Sequence, residues 1–291
     1  MRKAILFAAV LGLAGSEAQA QAKLNRGLKL NADGAVRIYN LVGSVRVVGW
    51  NRDSVAVRGS LGKGNVLHMG GAGAGMKLFV EGVDERNPAA ADIEVSVPIR
   101  AKVWVKTATA SIDVSGVTGS LDLYVVGGDI KVTGSPADVH AEAIDGSITI
   151  IGSPAWVRAK SASGNVSLDG SSSDVTISTV SGKIDVDGTR FERAKFESVT
   201  GDIRFAGSFE RGGLINFDTH SGAIEVDIPA GSPADFEVVS IAAKITNRLT
   251  STRPIAGRYG RGSELATSSG DGGSRVVIRS FKGPVMLLRK D

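Results

Sequence analysis

Residues 128–134 read GDIKVTG, 146–152 GSITIIG, 164–170 GNVSLDG and 182–188 GKIDVDG, each starting 18 residues after the last. The series continues at Gly201 (step 19) and Gly222 (step 21), and reaches back to Ala110 (step 18) and forward to Ala243 (step 21). A short fixed period means one supersecondary unit stacked on copies of itself.

Each unit contains two alternating segments. Ile130/Val132, Ile148/Ile150, Val166/Leu168 and Ile184/Val186 flank the polar Lys131, Thr149, Ser167 and Asp185. That is the period of a strand with one buried face. A second alternating segment begins about eleven residues after each glycine, as in Val139-His-Ala-Glu-Ala and Val157-Arg-Ala-Lys. Gly134-Ser-Pro-Ala-Asp and its relatives at Gly152, Gly170 and Gly231 supply one corner. Ala162-Ser-Gly, Val180-Ser-Gly, Val199-Thr-Gly and His220-Ser-Gly supply the other, where positive φ at glycine and capping by Ser or Thr are expected.

The pattern predicts an all-β, single-domain parallel β-solenoid, β-helix-like, with two-strand coils of about 18 residues stacked at about 4.8 Å. An antiparallel sandwich is the rival, but it needs no equivalent residues every 18 positions. The longer steps after Gly201 place extra residues in the Gly/Ser/Pro corner. Residues 23–105 form an N-terminal β region, with a flexible Gly-rich loop expected at 59–75 and a turn or edge at Pro98. Residues 106–250 are the regular coils. Residues 251–291 are a C-terminal cap, with 273–278 and 284–288 as closing strands. Atypical ends are expected because exposed sheet edges need cover.

Arg2 and Lys3, the apolar run from Ala4 to Ala14 and the small residues ending at Ala20-Gln21-Ala22 read as a signal peptide over residues 1–22. The run is too short for a bilayer span, and no later stretch reaches that length. The expected location is therefore the periplasm, cell surface or exterior of a bacterium. Removing this segment leaves 32 basic and 29 acidic residues, interspersed in sign, so nucleic acid is not an expected partner. The sequence contains no cysteine, which excludes disulfides, thiolate metal sites and a cysteine nucleophile.

The chain resembles the bacterial putative-adhesin family of β-strand-repeat envelope proteins, a family of unknown function. The resemblance rests on Gly43-Ser-Val-Arg-Val-Val-Gly-Trp50, Ile93-Glu-Val-Ser-Val-Pro98, the iterated [TV]SG-x-[IV]-x-V-x-G and Gly270-Asp-Gly-Gly. It covers most of residues 30–290. It implies an envelope-associated β-solenoid with an adhesive or scaffolding role and no functional residues to transfer.

Candidate sites are few. His140 and His220 stand four coils apart, about 19 Å at strand spacing, too far to share a metal; His68 lies in the Gly-rich segment. Asp218-Thr-His220-Ser221 holds triad residue types, but strand neighbours point to opposite faces. Asp169 and Asp187 occupy the same position in adjacent coils, with Asp185 beside them, and need a cation or lysine to relieve their repulsion. A Ca²⁺ there is conceivable, yet solvated corner carboxylates account for the pattern and no metal or cofactor is expected. Trp156 replaces the corner aspartate of other units; it either packs on a neighbouring corner or is exposed to stack on a sugar or partner. Trp156, Asp169, Asp185 and Asp187 are the candidate binding surface, and no catalytic residue is expected. The reading is a non-enzymatic adhesin-like scaffold that binds a protein or glycan of the envelope. A polysaccharide lyase or hydrolase on the same scaffold and a periplasmic stress or signalling accessory are the alternatives.

Overall fold

The computed structural model describes residues 22–84, 86–257 and 260–290. The expected signal peptide lies outside these residues except for Ala22, where the first strand, Ala22–Lys29, begins. The described residues form 25 strands in one sheet and no α-helix, so the all-β expectation holds.

The repeats build two ladders. In the first, Ser111–Ser115, Ile130–Thr133, Ile148–Gly152 and Val166–Gly170 pair in parallel. Ile130, Ile148, Val166, Ile184, Ile203 and Ile224 fall in one column, each no more than 1% exposed. In the second, Ser120–Val125, Asp138–Ala143, Trp156–Ser161 and Asp174–Thr179 pair in parallel. Leu121, Val139, Val157 and Val175 line up there. Inward side chains of both ladders form one cluster. The core is thin and aliphatic because each strand offers it only every second residue.

The long strands Ile184–Ser198 and Ile203–Thr219 run through the corner and pair in both ladders, joining them into one sheet. The extra residues of these repeats lie in that corner, where they were expected. They enter as register shifts between Gly188, Phe191 and Arg193, with Arg190 at φ 66°. The inserted Phe191 and Phe209 widen the core and pack on Phe205, with ring centroids 5.6 and 4.8 Å apart.

The two corners work differently from expectation. Gly134, Gly152 and Gly170 have positive φ, whereas Gly146, Gly164, Gly182, Gly201 and Gly222 do not. Those five stack directly on one another; a Cβ on Gly182 would lie 1.9 Å from the Gly164 carbonyl oxygen. Beside them runs a column of buried hydroxyls. Thr179 Oγ1 donates to the Gly182 carbonyl at 2.7 Å, Ser280 Oγ to that of Gly283 at 2.6 Å, and the Gly222 N–H donates to Thr219 Oγ1 at 3.0 Å. The cap is thus the buried hydroxyl three residues before the glycine. The Ser or Thr adjacent to the glycine reaches the previous repeat instead, as Thr200 Oγ1 does to the Val180 carbonyl at 3.2 Å.

The sheet as a whole is mixed, which corrects the expectation of parallel pairing throughout. Ser54–Leu61 runs antiparallel to Ala91–Pro98 and to Ala22–Lys29, and Ser263–Ser269 antiparallel to Ala234–Ser240. The Gly-rich segment is not a loop: Val66–Ala72 pairs antiparallel with Gly75–Glu81, holding Leu67 and Met76 in the core. Pro98 ends its strand buried.

Chain order and spatial order differ at both ends. Ala35–Asn40 lies between Gly75–Glu81 and Lys102–Thr107, and Gly43–Trp50 between Ala91–Pro98 and Ser111–Ser115. Likewise Ser274–Ser280 lies between Ile203–Thr219 and Ala234–Ser240, and Val285–Lys290 between Ile224–Pro229 and Ile245–Asn247. The expected closing strands are therefore internal. The outer cover at that end is Ser263–Ser269, edged by Ile255–Ala256.

Candidate functional site

Outward residues of the second ladder carry a run of aromatic and charged groups. At its N-terminal end the His68 ring stacks on Phe79 at 4.6 Å, with its Nε2 2.6 Å from Glu81 Oε2. Lys77 Nζ lies 5.1 Å from the ring centroids of both Phe79 and Tyr39. Tyr39 meets Trp104 edge-on at 4.8 Å. Cations over ring faces are favourable and hold the rings in fixed poses.

From Trp104 a groove of about 690 Å³ crosses the strands, lined by Arg37, Tyr39, Lys102, Trp104, Asp122 and His140. A second hollow of about 340 Å³ adjoins it through Asp138 and His140 and reaches Trp156, Arg158 and Asp174. Trp156 is 60% exposed, in register between Asp138 and Asp174. Trp156 is thus open to solvent and not packed away on a neighbouring corner.

The groove's polar groups are ordered by one another. Ser120 Oγ donates to Asp138 Oδ2 at 2.6 Å. His140 lies between two acids, its Nδ1 3.7 Å from Asp122 and its Nε2 3.2 Å from Glu142. Arg193 bonds Asp174 at 2.9 Å. Arg37, Lys102 and Arg158 balance Asp122, Asp138 and Asp174, so the groove carries no net charge. It presents donors and acceptors at strand spacing, with the indoles of Trp104 and Trp156 along its length. The signal for Trp104 was legible only as an outward parity; the sequence reading singled out Trp156 alone.

The acidic candidates lie elsewhere. Asp169 and Asp187 are paired neighbours on the first ladder, both exposed. Lys290 Nζ reaches Asp187 at 3.4 Å, and Asp185 is held by Arg204 at 3.0 Å and Lys183 at 3.3 Å. Relief thus comes from side-chain cations, and among the described residues no cluster of three or more His, Cys, Asp or Glu could hold a metal. The structure does not bring these acids together with Trp156, which belongs to the other ladder. In the Asp218–Ser221 segment, burial raises the Asp218 carboxyl above its ordinary range. His220 stacks on Phe281 at 4.9 Å and the Ser221 hydroxyl donates to the Val199 carbonyl at 3.3 Å, so no triad forms.

Residues 155–271 match the model of a family described as Toastrack DUF4097, which bears out the resemblance to a strand-repeat family of unknown function. A search of curated proteins finds no match. Among solved structures, a putative adhesin from Bacteroides fragilis is similar at 12% identity and TM-score 0.41, over 92% of this chain and 98% of that one. A putative lipid binding protein from Parabacteroides distasonis is similar at 15% identity and TM-score 0.42, over 90% and 96%. A putative cell adhesion protein from Clostridium sporogenes is similar at 9% identity and TM-score 0.22, over 92% and 100%. Among the described residues no helix is long and apolar enough to cross a membrane.

Proposed function

We propose that the chain is a β-solenoid of two-strand coils, exported to the bacterial envelope, that binds an uncharged glycan without cleaving it. The observation that carries this reading is the groove with Trp104 and Trp156 spaced along it. The two indoles are three strands and two residues apart, about 16 Å at ordinary strand dimensions. An extended sugar chain of three or four rings spans that distance, with aromatic faces for its ring faces and paired Asp, Ser, His and Arg for its hydroxyls. Balanced charge favours a neutral ligand over a polyanion. The groove acids Asp122 and Asp138 already have partners, which suits recognition better than acid–base chemistry.

The test is affinity chromatography and calorimetry with neutral and acidic oligosaccharides of the envelope and of plant walls. Trp104→Ala and Trp156→Ala should each weaken binding about tenfold, the loss of roughly 1.4 kcal/mol. Asp169→Ala and Asp187→Ala, on the other ladder, should leave it unchanged. New reducing ends that vanish on replacing Asp122 or Asp138 would replace the binding reading with a hydrolytic one.

A further inference from the structure

The corner that follows the second ladder carries an apolar stripe. The residue after each buried corner position points outward, and Val126, Ile144, Val180, Val199, Phe281 and Ile241 are 42–52% exposed. Ala162 and His220 fill the two remaining places. Backbone hydrogen bonds stack these corners, as from the Val180 N–H to the Ala162 carbonyl and from the Ala242 N–H to the Phe281 carbonyl. Single exposed apolar residues are ordinary; a continuous line of them marks a contact surface.

We infer that the stripe is the contact face of a two-fold dimer, a second copy of the chain lying antiparallel on the first. The axis lies in the plane of contact and crosses the stripe between Val180 and Val199. It sets each corner against the one equally far on the other side. Val180 then meets Val199, Ile144 meets Phe281, Val126 meets Ile241, and the small Ala162 meets the imidazole of His220.

The flanks obey the same axis. Two residues before the stripe, the paired strands bring an outward row of the second ladder alongside it. There Glu142 meets Arg279, Lys160 meets Asp218, Ser178 meets Glu197 and Tyr124 meets Val239. One residue after the stripe, Asp145 meets Lys282. Beyond the stacked glycines, Lys183 meets Asp202 and Asp129 meets Lys244. No like charges face each other. The pairing within one chain, such as Lys160 with Glu142 at 3.8 Å, joins these contacts into networks. Moving the axis half a strand either way destroys the match. Centred on Val180 it sets Lys183 against its own copy and Glu142 against Asp218; centred on Val199 it sets Glu197 against its own copy and Lys160 against Arg279. Eight corners at about 4.8 Å, by roughly 20 Å across, give on the order of 700 Å² per copy, near the ~800 Å² of a standard interface. Trp104 and Trp156 lie further back along their strands and stay open.

Sedimentation velocity over a dilution series tests this with the purified protein. The unmodified chain should dimerise. Asp145→Lys and Lys282→Asp should each weaken the dimer about tenfold or more, because each places like charges together twice. An equimolar mixture of the two variants, or the double reversal in one chain, should restore it. The chain has no cysteine, so Ile144→Cys and Phe281→Cys variants offer a clean second readout. Mixed and oxidised, they should form a disulfide-linked heterodimer. A monomer at every concentration overturns the dimer; a dimer indifferent to both single reversals, or failing to cross-link in the mixture, overturns this arrangement.

Discussion

Gly182 shows how a single position constrains the stack. Its Cβ would fall 1.9 Å from a backbone oxygen of the preceding repeat, and backbone cannot swing aside. Gly182→Ala should therefore cost several kcal/mol, like other severe overpacking. Gly127→Ala, where the nearest atom is Thr109 Cγ2 at 3.6 Å, should shift the melting point little. Thr179→Val keeps the shape but leaves the Gly182 carbonyl without its 2.7 Å donor, a loss of about 1–3 kcal/mol by chemical denaturation. The glycine period is plain in the sequence, but its reason is not: a repeated glycine reads as a turn, and only the spacing between repeats shows that it is there to let backbones touch. The buried hydroxyls were missed for a related reason. Ser161, Thr179, Ser198 and Thr219 sit at an inward parity, where polar residues look like exceptions until the corner backbone groups and neighbouring hydroxyls they bond are in view.

At the scale of the strand, parity is the readable quantity. Ile184→Asp places a carboxylate in the aliphatic column with no partner, a cost of several kcal/mol. Asp185→Ala, outward and bonded to Arg204 and Lys183 at the surface, should change stability by only about 0.5 kcal/mol. Equal melting shifts would contradict the assigned faces. What parity does not carry is spatial order. Residues 274–290 alternate like every other repeat, and nothing in them says that they insert between earlier strands. The cover strand Ser263–Ser269 is tied through Asp235, which accepts from the Ser268 hydroxyl at 2.6 Å and the Gly273 N–H at 3.1 Å. These bonds hold its carboxyl below the ordinary range. A depressed folded-state value stabilises above the unfolded value, about pH 4, and that contribution is lost as pH falls through the folded one. Hydrogen-exchange protection in residues 263–269 should drop between pH 5 and pH 3 more than in the central repeats. Asp235→Asn should show the lowered protection at both.

For the molecule as a whole, the number of repeats and their two faces were legible because hydrophobic period and register share one arithmetic. The groove was legible only in part. Trp156 broke a repeated aspartate and so stood out, whereas Trp104 and Tyr39 lie in repeats whose neighbours are known only once the strands are placed. Removing residues 281–291 should abolish cooperative unfolding, because it withdraws Val285–Lys290 from between two strands rather than from an edge.

That insertion also sets a timetable. During synthesis Ala234–Ser240 and Ile245–Asn247 emerge before residues 274–290, yet their parallel neighbours in the finished stack are those later residues. The stack cannot shut at this end until residues 274–290 are free to pair. A chain that stops before residue 274 keeps an open seam of unpaired strand edges, the kind of surface on which proteases and chaperones act. The strands at 274–280 and 285–290 thus act as a late fastener, and the repeats before them reach the protected state only once these residues have slotted in between.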